Sequence, residues 1–148
     1  MRVIIQRSKE SSVKVDNKIV GIIEKGLVIL VGFTQNDTSK DIDYIIKKIL
    51  GLRIFDDSNG VMNLSIKDVN GSILSISQFT LYADTTKGNR PSYINSMNRD
   101  EAIKLYDEFN NKLKEYIKVE TGIFGADMEV NIINDGPVTI IIDSKDKI

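Results

Sequence analysis

The sequence predicts an α+β fold: a single domain over residues 1–148, with mainly antiparallel strands in a barrel-like sheet and two amphipathic helices. Three observations predict it. Short segments rich in Val and Ile crowd both ends of the chain, two longer segments carry apolar residues at three- and four-residue spacing, and the order is strands, helix, strand, helix, strands. No internal repeat, low-complexity tract or linker divides the 148 residues, and 41% hydrophobic content suffices to bury a core without disulfides or a structural metal.

In chain order, Val3 to Arg7, Ser12 to Val15, Ile19 to Ile23 and Leu27 to Phe33 read as a meander of strands, with turns at Asp16-Asn17 and Glu24-Lys25-Gly26. Leu27-Val28-Ile29-Leu30-Val31 is apolar on both faces, as befits a central strand covered on both sides. After Asn36-Asp37-Thr38-Ser39, suited to capping, Ile42, Ile45, Ile46, Ile49 and Leu50 mark one face of a helix. Ser72 to Leu81 reads as a strand, and the polar stretch Asp84 to Ser92 as a loop. A second helix follows Asn98, with Glu101 in capping-box position and Ala102, Leu105, Tyr106, Phe109, Leu113, Tyr116 and Ile117 on its inner face. Lys47, Lys48, Lys104, Lys112 and Lys114 read as a solvated outer face. Met128 to Ile133 and Val138 to Asp143 are two strands joined by Asn134-Asp135-Gly136-Pro137, and Ser144 to Ile148 is a frayed tail.

Composition narrows the chemistry. Twenty basic against 21 acidic residues give no long-range attraction to nucleic acid, so a partner held mainly by many phosphates is not expected. No apolar run approaches the roughly 18 residues of a membrane span, and without Cys there are no disulfides or thiolate sites; a soluble, untargeted, cytoplasmic protein is expected. The chain also has no His, the commonest general base near neutral pH, so an enzyme built on it must use carboxylates, Lys, Tyr, backbone amides or a group on the substrate.

Two segments are candidates for a site. Ser77-Gln78-Phe79-Thr80-Leu81 places hydroxyls and an amide near a strand end, where they can meet a ligand or satisfy neighbouring backbone. Thr80 as a nucleophile would need an activating base. Gly136-Pro137 at a strand junction reads, on spacing alone, as an ordinary turn. Arg7 and Arg90 can pair with a carbonyl or phosphate, and Met128 suits a core as well as a pocket wall. Asp56-Asp57-Ser58-Asn59-Gly60 lacks the spaced ligands of a calcium loop and reads as a turn. The residues by themselves do not reach a substrate.

Taken together, the two segments resemble the D-aminoacyl-tRNA deacylase family: Ser77 to Leu81 matches its SQxTL motif and Asn134 to Thr139 its NxGPVT motif. The likeness extends through Val3-Ile4-Ile5-Gln6-Arg7, Leu52-Arg53-Ile54-Phe55, Gly88-Asn89-Arg90-Pro91-Ser92-Tyr93 and Thr121 to Met128, with Tyr93 standing where a Phe is usual. The resemblance implies a homodimer with active sites at the subunit interface, in which a cis Gly136-Pro137 peptide enters the partner's pocket. It implies as substrate the aminoacylated terminal adenosine of tRNA, met at its single-stranded acceptor end, with no DNA, membrane, cofactor or metal.

From that frame a mechanism is expected. Carbonyls of Gly136 and Pro137 aimed at the substrate's α carbon would collide with an L side chain and spare a D one, so glycine, including glycyl-tRNA mischarged on tRNA(Ala), should leak through. Ser77, Gln78, Phe79 and Thr80 form the catalytic segment, with amides near Phe79 and Thr80 holding the oxyanion and the substrate's 2′-hydroxyl assisting water. Arg7, Met128, Gly136, Pro137, Val138 and Thr139 bind substrate, with Arg7 expected to hold the partner's loop. Three readings stand beside this one: Thr80 as nucleophile, a hydrolase of another small ester, and a non-catalytic RNA-binding module.

Overall fold

The computed structural model describes residues 1–146. Strand β4 (Gly26–Gly32) is the spine of a five-stranded sheet in the order β10 (Asn134–Asp143), β1 (Arg2–Ser8), β4, β7 (Ser72–Ser77), β8 (Val119–Thr121). Leu27, Ile29 and Val31 point to a core shared with the two helices, whereas Val28 and Leu30 point to a second core under a three-stranded sheet. That second sheet has the order β3 (Lys18–Ile23), β2 (Ser11–Val15), β9 (Glu129–Asn131). Both faces of β4 are therefore covered, as its unbroken apolar run predicts. A small hairpin of β5 (Phe55–Asp56) and β6 (Met62–Leu64) closes over Asp57, whose carboxylate accepts from the N–H groups of Asn59 and Val61, so the Asp56–Gly60 stretch is a turn.

The α+β class with two helices holds, and most pairings are antiparallel, but β4 with β7 and β7 with β8 are parallel. The main sheet runs from β10 to β8 without closing, which is compatible with a barrel-like sheet. Other expectations need correction. The first four strands are not a meander: β2 and β3 form a hairpin through Asp16 and Asn17, both at positive φ, and leave for the second sheet, while β1 pairs with β4. Nor do residues 134–137 merely join the last two strands. β9 pairs with β2 and β10 with β1, and residues 134–137 belong to β10, beside a register shift between Gln6 and Ser8. The Ser72 to Leu81 strand stops at Ser77, because Gln78 turns the chain into a 3₁₀ turn at Phe79–Tyr82.

Helix α1 (Ser39–Gly51) is capped from within the Asn36–Ser39 cluster, and the cap is a full capping box: the Thr38 hydroxyl accepts from Lys40 N–H, and Asp41 accepts from Thr38 N–H at 2.8 Å. Helix α2 (Arg99–Lys114) is capped by Asn98, which accepts from Asp100 N–H; no bond returns from Glu101. Because α2 ends at Lys114, Tyr116 leaves the inner face, is 54% exposed and lies under the Lys67 ammonium. Lys112 bridges Asp43 of α1 and Glu108 of α2.

The expected tail is not frayed over its first residues. Ser144 N–H donates to the Met1 carbonyl, and its hydroxyl donates to Asp41 at 2.7 Å; residues 147 and 148 lie outside the described residues. Burial opposes ionisation of Asp41. Hydrogen bonds from Ser144, Thr38 and Lys145 outweigh it and hold the carboxyl at about 2, below its ordinary 3.8. A lowered folded value gives stability that is complete above the ordinary value and is lost as pH falls toward about 2. Asp41→Asn should therefore cost on the order of 2 kcal/mol at neutral pH, and the gap to wild type should close in acid. Urea midpoints at pH 7 and near pH 2 check this, and an equal gap at both would contradict it.

Candidate functional site

The corner between β7 and the 3₁₀ turn is built by backbone bonds. Gln78 N–H donates to the Val31 carbonyl at 2.7 Å, and the carbonyls of Gln78 and Thr80 accept from Leu81 and Ala83. That leaves the N–H groups of Phe79 and Thr80, at the open start of the turn, without a hydrogen-bond partner among the described residues. From below, the corner is held by Tyr106 of α2, whose buried hydroxyl donates to the Ser75 carbonyl at 2.8 Å. Burial pushes that phenol's pKa up, so it stays a neutral donor.

Beside the corner is a cavity of about 320 Å³. It is lined by Ser77, Gln78 and Phe79, by Phe124 to Met128, and by residues that include Phe33, Ile76, Met97 and Ala102. Met128 is thus a pocket wall and part of the second core at once. Gly122 makes room for it, since a Cβ there would overlap the Met128 sulfur. Phe79 is 57% exposed at the mouth and meets Tyr93 edge to face, 5.0 Å between centroids. Ser96 fixes the Phe79 carbonyl with a 3.0 Å hydrogen bond.

Thr80 is half-buried, and its hydroxyl accepts a hydrogen bond from the Gln78 side-chain amide. An amide N–H is a donor and takes no proton, so the neighbour that orients Thr80 does not activate it.

The second segment is held with equal care. Asn134 donates to the carbonyls of Arg7 and Val138, and its own side-chain oxygen accepts from Gln6 at 3.1 Å. The Thr139 hydroxyl stands within 3.2 Å of both Asn134 Oδ1 and the Pro137 carbonyl. Arg7, nearly buried, spends Nε on the Asp135 carbonyl and Nη1 on the Ile54 carbonyl at 2.8 Å. Its guanidinium therefore braces the loop of its own chain through the Asp135 carbonyl. Gly136 and Pro137 crown this brace, both exposed and joined by a cis peptide, with Val138 turned partly into the first core.

The two segments do not meet within one chain. Ser77 is level with Val31, Val31 with Val3, and Val3 with Ile142, whereas residues 136 and 137 lie between Asn134, opposite Ser8, and Thr139, opposite Gln6. That is about five residues along the strands, with three strand spacings between β7 and β10 across the sheet, or roughly 20 Å apart. Ser77, Gln78, Phe79 and Met128 share one cavity, with Thr80 at its edge; Arg7, Gly136, Pro137, Val138 and Thr139 stand at the other end. Sequence reasoning had no role for Asn134 and Gln6 as loop anchors, nor for Gly122 and the Phe124–Asp127 wall. The signal present was the Asn and Thr flanking Gly-Pro, and the glycine pair in Thr121 to Asp127.

A family model described as "D-Tyr-tRNA(Tyr) deacylase" matches residues 4–143. Among solved structures, "c-Myc DNA Unwinding Element Binding Protein" superposes with a TM-score of 0.91 and 36% identity, over 97% of this chain and 98% of that one. "Structural Analysis of a probable eukaryotic D-amino acid tRNA deacylase" superposes with a TM-score of 0.81 over 95% and 97%; at 19% identity it shows the shared fold.

Proposed function

The chain belongs to the D-Tyr-tRNA(Tyr) deacylase family, hydrolases of the aminoacyl-tRNA ester, and on that premise we propose that it clears D-aminoacyl-tRNA in the cytoplasm as a homodimer of single-domain chains. Each active site is the Ser77–Thr80 corner of one chain completed by the Gly136-Pro137 loop of the other. One observation carries the cross-subunit reading. The loop is braced, exposed and roughly 20 Å from its own chain's pocket, so only a second copy can present it to the corner.

The terminal adenosine enters the cavity beside Phe79 and Met128. Water attacks the ester carbonyl carbon, the oxyanion is held by the N–H groups of Phe79 and Thr80, and collapse expels the ribose oxygen, which takes the proton. The ribose hydroxyl next to the ester assists the water, which suits a chain without His. Free D-amino acid and tRNA are released. The carbonyls of the entering Gly136-Pro137 loop stand where an L side chain would project, so selection is by exclusion and asks nothing of side-chain identity. Glycyl-tRNA, with no side chain to exclude, should be cleaved, including glycine mischarged on tRNA(Ala). Its half-life with enzyme should lie nearer that of D-alanyl-tRNA than of L-alanyl-tRNA, and protection equal to the L ester would contradict exclusion.

Mixing two crippled variants tests the shared site. Gly136→Ala damages the loop and Phe79→Pro the corner, so a mixed dimer holds one site intact in both parts. After unfolding and refolding together in equal amounts, about a quarter of wild-type activity should return, against almost none for either alone. No recovery, with mixed dimers shown to form, would place each site within one chain.

A further inference from the structure

Arg99, the first residue of α2, is exposed, and its guanidinium forms no hydrogen bond and no ion pair among the described residues. Its guanidinium nevertheless has a defined place. A Cβ built on Gly125 would lie 2.9 Å from its Nη2, 3.4 Å from Cζ and 3.5 Å from Nε, so the group lies across the bare Cα of Gly125. Gly125 has a φ of +76°, a conformation few other residues adopt, and belongs to the wall of the same cavity that holds Ser77, Gln78 and Phe79. A cation thus rests on the rim of the pocket with its donors unspent.

The acids near it are otherwise disposed. Asp100 and Glu101 occupy the first turn of α2, where carboxylates complement the helix dipole, and Asp127 lines the pocket wall without bonding to Arg99. A nearly neutral chain whose substrate is a polyanion needs few cations, and one placed at the mouth does most where the strand enters. Planar donors of this kind suit a phosphate diester.

We propose that Arg99 binds the phosphate joining the terminal adenosine to the nucleotide before it, and so aligns the acceptor end as it enters the pocket. Arg99 is a positioning residue and touches no reacting atom. The inference rests on the deacylase reading, and the substrates can be chosen so that the two fail separately.

Wild type, Arg99→Ala and Arg99→Lys should be compared on D-tyrosyl-tRNA and on D-tyrosyl-adenosine, an ester of the same sugar that lacks the phosphate. For Arg99→Ala, the ratio of kcat/KM on tRNA to kcat/KM on the short ester should fall about tenfold, carried by KM on tRNA, and Arg99→Lys should recover part of it. The fall of log kcat/KM on tRNA with log salt should also become shallower, by about 0.7, the share of one phosphate contact on a single strand. An unchanged ratio with an active wild type would overturn the role of Arg99 alone. A wild type inert on both esters would bring down the deacylase reading with it.

Discussion

Gly136→Ala is expected to lower kcat/KM on D-tyrosyl-tRNA by about a hundredfold or more while leaving the fold in place. Gly136 holds a φ of +118°, and a Cβ there would come within 2.9 Å of Arg7 Nη2 and of the Val138 nitrogen. An L residue forced into such a conformation costs about 1–3 kcal/mol, and the backbone relieves that by moving. It cannot move without disturbing the Arg7, Asn134 and Thr139 contacts that aim the loop. A misplacement of about 1 Å in a site that works by geometry is enough for a loss of this size. Gly136 and Pro137 are exposed and outside both cores, so the fold should persist, with the melting temperature lowered only by the several degrees that such a cost implies. Wild-type kcat/KM in Gly136→Ala would mean that the loop takes no part in the site.

The second large effect separates backbone from side chain at the corner. Phe79→Pro removes an N–H that has no partner among the described residues, at the first position of the 3₁₀ turn, where a fixed φ suits Pro and the preceding Gln78 is outside the helical region at φ −147° and ψ 83°. Phe79→Ala removes the aromatic ring and its contact with Tyr93 but keeps the N–H. If the amide holds the oxyanion, kcat should fall about a hundredfold further in Phe79→Pro than in Phe79→Ala, the loss expected for one oxyanion donor. Thr80→Ala should stay within a few-fold of wild type, since the Thr80 hydroxyl receives a hydrogen bond from Gln78 and meets no base. Equal kcat in the two Phe79 variants would deny the amide its role, and a loss of several orders of magnitude in folded Thr80→Ala would restore Thr80 as nucleophile.

What the sequence made legible follows from what is local. The capping cluster at Asn36 to Ser39, the Ile42–Ile49 stripe and the two-sided burial of Leu27 to Val31 each depend on neighbours within a few residues, and each was readable. Strand partners are not local. Nothing in Ser12 to Ile23 says that this hairpin will leave β1 for another sheet, nor in Met128 to Asp143 that two successive strands will pair with β2 and β1. The Ser77 boundary was missed because Phe79 and Leu81 continue the apolar alternation past the point where Gln78 turns. The two site segments were visible as motifs, but their distance was not. That distance comes from the register of four strands, which no local pattern in either segment records.

Release of amino acid from matched D- and L-tyrosyl-tRNA is the most direct measurement, with enzyme exposed beforehand to a chelator. Rapid loss of the D ester with the L ester spared is the predicted result. Equal cleavage of both, or of neither, would contradict a site that hydrolyses the ester and excludes by chirality.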